Sequence, residues 1–326
     1  MSNNTPDVSI IMPMFNEVDN LPTLQERLFK VMNDAGLSWE WLIVDDHSTD
    51  GTFEALDKIA ANLTNVTVIR LARNFGSHAA ILCGLEHCRG RSAVVMASDL
   101  QDPPEVIPQL VEKWHGGADT VWAERGLREG VSRFSVGLSQ LFYVLIRNFA
   151  GVKAMPPRGA DFFLIDRKVI NELKNFRESN VHLMGLIAWL GFEQVSVTYT
   201  KEARLHGETG WSLGQKIKLA IDSITSFTYL PIRLISIFGI IIALSGFIYG
   251  GVVIYSAFAQ ETPPGWVSLM VVFLLVSGFQ IIMLGILGEY LWRTLDEARG
   301  RPRYLLEKTR NINDSKPNKQ MPHEQE

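Results

Sequence analysis

Five apolar-rich runs recur in the first part of the chain, at residues 8–12, 41–44, 66–71, 93–97 and 120–123. Between them lie stretches with apolar residues at helical spacing, at 21–32, 52–61, 78–87 and 106–114. Runs this short suit buried strands, and strands alternating with helices predict an α/β domain with a mostly parallel sheet covered on both faces. In such sheets ligands bind beyond the carboxyl ends of the strands. The segments to read for chemistry are therefore PMFNE, DDHSTDGT, ARNFG, SDLQDPPE and ERG, each of which follows one run.

The pattern changes after residue 229. Residues 230–292 carry almost no charge, and two stretches within them, 231–258 and 266–287, are long enough to cross a bilayer, which needs about 20 apolar residues. A buried hairpin in a soluble protein is the alternative and fits this length and purity less well. Lys216, Lys218 and Arg233 precede the first stretch and Arg293, Arg299, Arg301 and Arg303 follow the second, whereas the connecting AQETPPG has no Lys or Arg. The positive-inside rule then puts both ends in the cytoplasm. Glu289, at the inner end of the second stretch, has Arg293 one turn away as its expected partner. The expected division is a catalytic domain over 1–229, a two-helix anchor over 230–292 and a cytoplasmic tail over 293–326, disordered after Lys308. Within the first unit, 134–149 and 211–229 read equally well as interfacial helices or as helices packed on the sheet.

Composition narrows the chemistry. With 326 residues, 47% hydrophobic content and a net charge of −4, nothing suggests a nucleic-acid partner. Cys83 and Cys88 lack metal or redox spacing and read as buried thiols. The opening MSNNTPD has no basic region followed by an apolar stretch, so no cleavable signal is expected. No G-x-G-x-x-G follows the first run and no G-x-x-x-x-G-K-[ST] occurs. The strand ends supply carboxylates instead: Glu17, Asp45, Asp46, Asp99 and Asp102. Such a crevice admits phosphate when a hard cation, Mg²⁺ or Mn²⁺, offsets the negative charge, and Asp99 with the amide oxygen of Gln101 offers ligands. Structural roles compete with this. Asp46, Ser48 and Asp50 suit a helix cap, and Asp102 before Pro103 and Pro104 reads as a helix start. His47 and His78 read as loop and helix-cap residues. Asp99 follows VVMAS directly, where an unpartnered charge is costly.

IIMPMFNEVDNL, LIVDDHSTDGT, LARNFGSHAAILCGL, SDLQDPPE, GADFFLIDR, GETGWS and LGEYLWR with RPRY, in that order, resemble family 2 glycosyltransferases of the dolichol-phosphate mannosyltransferase type. The resemblance runs from about residue 8 to 305 and is closest to the bacterial polyprenyl-phosphate branch with two C-terminal helices. It implies a GT-A fold. Pro13, Glu17 and Asp46 match positions that hold a nucleoside, and Asp99 and Gln101 match the metal end of a D-x-D-x-Q pattern. Asp161 matches an acid near sugar and acceptor, and Arg204 an arginine that meets the diphosphate. Arg125 matches a basic position facing the lipid phosphate, joined by Arg128 and Arg133. Two departures stand out: Ala97 replaces the usual first acid, and Thr209-Gly210-Trp211 replaces a Ser-Lys-Tyr, removing a cation.

The implied activity is metal-dependent, inverting transfer of a sugar from a nucleotide-sugar, a UDP-sugar ahead of GDP-mannose, to polyprenyl phosphate at the cytoplasmic leaflet of a bacterial inner membrane. The implied role is cell-envelope glycan modification. The family also implies a homo-oligomer. Two alternatives remain open at this point, a catalytically impaired nucleotide-sugar binder and a processive polysaccharide synthase. The first is suggested by Ala97; the second lacks its usual Q-x-x-R-W and further spans.

Overall fold

The computed structural model describes residues 5–126, 161–176, 183–202, 230–258 and 265–311. Its sheet has eight strands: β1 (Val8–Met14), β2 (Trp39–Asp45), β3 (Val66–Leu71), β4 (Ser92–Val95), β5 (Thr120–Arg125), β6 (Phe163–Asp166), β7 (Gln194–Tyr199) and β8 (Leu306–Arg310). Their order is β7-β5-β6-β4-β1-β2-β3-β8. The pairs β1–β2, β1–β4, β2–β3 and β5–β7 are parallel, while β6 lies antiparallel between β4 and β5, and β8 lies antiparallel beside β3. The first five strands are the five apolar-rich runs.

Side-chain alternation builds two cores. Val8, Ile10, Met12 and Met14 of β1 face α1 (Leu21–Asp34), α2 (Thr52–Asn62) and α4 (Ile107–His115), which a short 3-10 turn over Pro104–Val106 introduces. Ile11, Leu42 and Val44 face the opposite way. They pack with α3 (Ser77–His87), α5 (Arg167–Leu173) and α6 (Leu183–Trp189). Gly84 lets α3 approach β1: a Cβ there would collide with Cγ2 of Ile11. Cys83 and Cys88 are free and buried, and burial pushes both thiols up.

α7 (Leu230–Phe258) and α8 (Trp266–Arg299) expose their apolar surface, with Ile240, Phe247, Ile254, Leu269, Phe273 and Ile281 all open. Both are long and apolar enough to cross a membrane. Glu289 and Arg293 form the expected pair, Nη2 to Oε1 at 3.0 Å. α8 continues to Arg299, past the end of its apolar stretch. The chain then returns to the sheet as β8, so pairing persists through Arg310, beyond the Lys308 at which a disordered tail was expected. Residues 134–149 and 211–229 lie outside the described residues.

Candidate active site

Strand order reverses between β1 and β4, the switch point at which an open α/β sheet leaves a crevice. Pro13 helps to open it. Ile11 carbonyl accepts from Met96 on the β4 side, whereas Met14 carbonyl accepts from Asp46 on the β2 side. By alternation, Pro13 turns its missing N–H toward β4, past the last paired residues Ile11 and Val95. Three strand ends here bend through left-handed backbone at residues other than glycine: Asn16 after β1 (φ +56°), His47 after β2 (+65°) and Leu100 after β4 (+58°). Such positions cost roughly 1–3 kcal/mol and gather at functional sites.

The loops after β1 and β2 are tied together. Ser48 Oγ accepts from the Asn16 amide, Thr52 Oγ1 from that of Glu17, and Asp50 Oδ2 from that of Val18, while Asn16 Oδ1 accepts from the Thr49 amide. Asp50 Oδ1 also accepts from the Thr52 amide at 2.9 Å, although the residue at the N-cap of α2 is Gly51, which makes no side-chain cap, so none of Asp46, Ser48 and Asp50 takes the cap position. Asp46 behaves differently. It is buried, and its two oxygens accept from the amides of Phe75 (2.7 Å) and Gly76 (2.8 Å), joining β2 to the loop before α3 rather than capping α2. Burial raises Asp45 and Asp46 above the usual carboxylate range, against the lowering effect of those bonds and of the Ser48 bonds to Asp45. Glu17 accepts from Asn20 Nδ2 at 2.5 Å and Pro13 is partly exposed at the crevice.

The acid turn after β4 folds tightly. Asp99 is 8% exposed, and its Oδ1 accepts from the Gln101 amide at 3.2 Å across the kink at Leu100. Gln101 carbonyl accepts from the Glu202 amide at 2.9 Å. Asp102 corrects the helix-start reading. The residue flanking the 3-10 turn is Pro103, with no side-chain cap, and Asp102 is 1% exposed with its Oδ1 accepting from the Tyr199 hydroxyl. The two prolines set the turn without help, and β7 brings Tyr199 onto the carboxylate. Asp102 Oδ2 is buried with no hydrogen-bond partner among the described residues.

Antiparallel β6 and parallel β7 supply the rest. Because β6 runs against β4 and β5, Asp161 just before it lies at their carboxyl ends, where its Oδ2 accepts from Arg125 Nη2 at 2.6 Å. Two positions matched separately to the sugar and to the lipid phosphate thus form one ion pair. β7 pairs Tyr199 with Arg125, and two residues on, Lys201 Nζ stands 3.8 Å from Asp102 Oδ1. Arg27 of α1 clasps this segment from outside, bonding both Glu105 and Glu202 through pairs of nitrogens at 2.7–3.1 Å. Lys201 and Tyr199 escaped the sequence reading, since neither belongs to a motif; only their place one strand over from Arg125 marks them. Arg128, Arg133 and Arg204 lie outside the described residues.

The model of glycosyl transferase family 2 matches residues 9–174. The uncharacterised glycosyltransferase YkcC of Bacillus subtilis is 38% identical over 93% of this chain and 94% of its own. The chain belongs to glycosyltransferase family 2. A second relative, the prophage bactoprenol glucosyl transferase homolog of Escherichia coli, is 33% identical over 93% of this chain and 99% of its own. Among solved structures, a mannosyltransferase from Pyrobaculum calidifontis in complex with GDP-Man and Mn2+ is 21% identical, with a TM-score of 0.41 over 60% of this chain and 56% of that one. The family places the mixed sheet with helices on both faces as a GT-A domain, and the protein as a glycosyltransferase.

The acid turn of this glycosyltransferase fits a divalent cation. Asp99, Gln101 and the orphaned Oδ2 of Asp102 offer oxygen donors within four residues. Among the described residues no three His, Cys, Asp or Glu side chains form a complete metal cluster. A hard cation at a phosphate site needs only one or two carboxylates, because waters and phosphate oxygens complete its shell.

Proposed function

We propose that this glycosyltransferase moves a sugar from a UDP-sugar to polyprenyl phosphate, with Asp99 and Gln101 holding Mg²⁺ or Mn²⁺. The observation that carries the reading is the crevice itself: acids and cations from β4, β5, β6 and β7 converge at one sheet edge, in a chain with two exposed apolar helices. Relatives named as bactoprenol glucosyl transferases, 33% identical, support the acceptor. The helices would span the membrane with the catalytic domain in the cytoplasm, as the Lys and Arg distribution favours.

In this mechanism an acceptor phosphate oxygen bonds to the anomeric carbon while the bond to the diphosphate oxygen breaks. The nucleoside diphosphate leaves with the electron pair, and the configuration inverts. A phosphate monoester has a second pKa near 6, so the acceptor is largely a dianion at neutral pH and needs no general base. Asp99 and Gln101 would hold the cation, which when bound would supply positive charge to offset the leaving diphosphate. Arg204 adds a fixed charge there, Pro13, Glu17 and Asp46 shape the nucleoside end, and Arg125 with Arg128 and Arg133 receives the lipid phosphate. Asp161 faces positive charge developing at the anomeric carbon. A transfer assay with labelled UDP-glucose, UDP-N-acetylglucosamine and GDP-mannose against undecaprenyl phosphate tests this. The expected result is an organic-extractable glycolipid from a UDP-sugar that requires Mn²⁺ or Mg²⁺; nucleotide binding with no glycolipid from any donor would overturn it.

A further inference from the structure

Lys201 has no part in that mechanism, yet its placement is unusual for a lysine. Its side chain is 13% exposed, and its carbon stem emerges from the carboxyl end of β7 beside Arg125 of β5. The segment is fixed on both sides. The Glu202 amide bonds Gln101 carbonyl at 2.9 Å, and the Glu202 carboxylate is clasped by Arg27 at 2.9 Å. Lys201 therefore points from an anchored backbone toward the acid turn rather than swinging in solvent. Three carboxylates act on it, Asp102, Asp99 and Asp161, while Arg125 opposes. Burial nonetheless holds its ammonium below the ordinary lysine range.

Lys201 forms an ion pair with Asp102 but no hydrogen bond: Nζ stands 3.8 Å from Oδ1, and that oxygen takes its bond from Tyr199 instead. Asp102 Oδ2 also goes without a donor among the described residues. A largely buried cation with three N–H donors is thus held beside Asp102 without a hydrogen bond to it. Asp99, Asp102 and Asp161 outnumber Lys201 and Arg125, and a divalent cation at Asp99 would tip that balance toward an anion. Ammonium groups serve phosphate as compact point charges. The ligand chemistry this admits is a phosphate oxygen, from either the donor diphosphate or the acceptor monoester.

We propose that Lys201 is a phosphate-binding residue of the transfer site, poised by Asp102 and donating from Nζ to a phosphate oxygen. The assignment rests on the transferase reading above. The test compares wild type, Lys201→Met and Lys201→Arg in the full-length detergent-solubilised protein. Titration calorimetry with UDP and Mn²⁺ reads the donor arm, and KM for undecaprenyl phosphate reads the acceptor arm. Lys201→Met should weaken one of the two by about ten- to a hundred-fold, the range of a hydrogen bond to a charged group, with Lys201→Arg recovering most of the loss. Whichever arm moves names the phosphate. Unchanged UDP affinity and unchanged KM in Lys201→Met, with or without a lower melting temperature, would overturn the proposal and leave Lys201 a counter-ion of Asp102. A wild type that binds UDP but makes no glycolipid would fell the transferase reading instead.

Discussion

Leu100 is fully buried with φ at +58°, a conformation that a γ-branched residue adopts only when its surroundings compel it. Its kink is what turns Asp99 and Gln101 back toward each other, so the strain serves the acid turn. Asp99→Ala should therefore abolish turnover and the stabilisation by Mn²⁺ in thermal unfolding, since a ligand that binds only the folded state raises its stability; an unchanged Mn²⁺ shift would remove Asp99 from the metal. Asp50 illustrates a different residue-scale effect. Burial alone would raise its carboxyl, but the Thr52 hydroxyl and the amides of Thr52 and Val18 bond it and leave it below the usual range. A depressed folded pKa means the unfolded chain binds protons more readily, so this contribution is present above the ordinary carboxylate range and is lost as pH falls through the depressed value. Asp50→Asn should melt a few degrees lower at pH 7, and the gap to wild type should close with acid. A gap that is constant from pH 7 down to pH 3 would mean that Asp50 acts without its charge.

β6, β7 and β8 escaped the sequence reading as strands, and β8 is the one with the least apolar pattern. Leu306–Arg310 reads LEKTR, all five residues are exposed, and no apolar alternation marks it. It is a strand because the edge of β3 offers unpaired backbone groups and α8 delivers the chain to that edge. Side chains then secure it. Glu307 Oε2 lies 3.2 Å from both Arg70 Nε and His47 Nδ1, Arg310 pairs with Asp57 at 2.7 Å, and Asn311 Nδ2 bonds the carbonyls of Ala60 and Val66. The link reaches the β2 loop, so the segment that follows the apolar helices braces one wall of the crevice. Ending the chain after Arg303 should lower the melting temperature of the catalytic domain by several degrees and promote aggregation through the bared edge of β3. An unchanged melting temperature would make β8 ornamental. By contrast β1 to β5 were legible as apolar runs, because strands buried on both faces must be hydrophobic whatever they pair with.

At the scale of the molecule, two chemistries share one chain. α8 has 34 residues, about 50 Å at 1.5 Å per residue, which exceeds a hydrocarbon core of about 30 Å. Its last turns, from Glu289 to Arg299, would thus stand clear of lipid and lead directly to β8. The full chain should sediment with membranes, resist extraction by high salt or alkaline carbonate, and release in detergent; extraction by salt alone would mean that α7 and α8 bury their faces against protein. Hydropathy and motif order by themselves determined the α/β domain, the apolar helix pair, the family and the acid turn, since burial periodicity and short contiguous segments are properties of neighbours along the chain. Only the tertiary structure decided that Asp161 pairs with Arg125, that Asp102 is a buried partner of Tyr199 rather than a helix start, that Lys201 stands beside Asp102, and that the chain returns as β8. Each depends on which strands lie side by side, and strand order is set by packing across the whole sheet, which no local stretch of sequence contains.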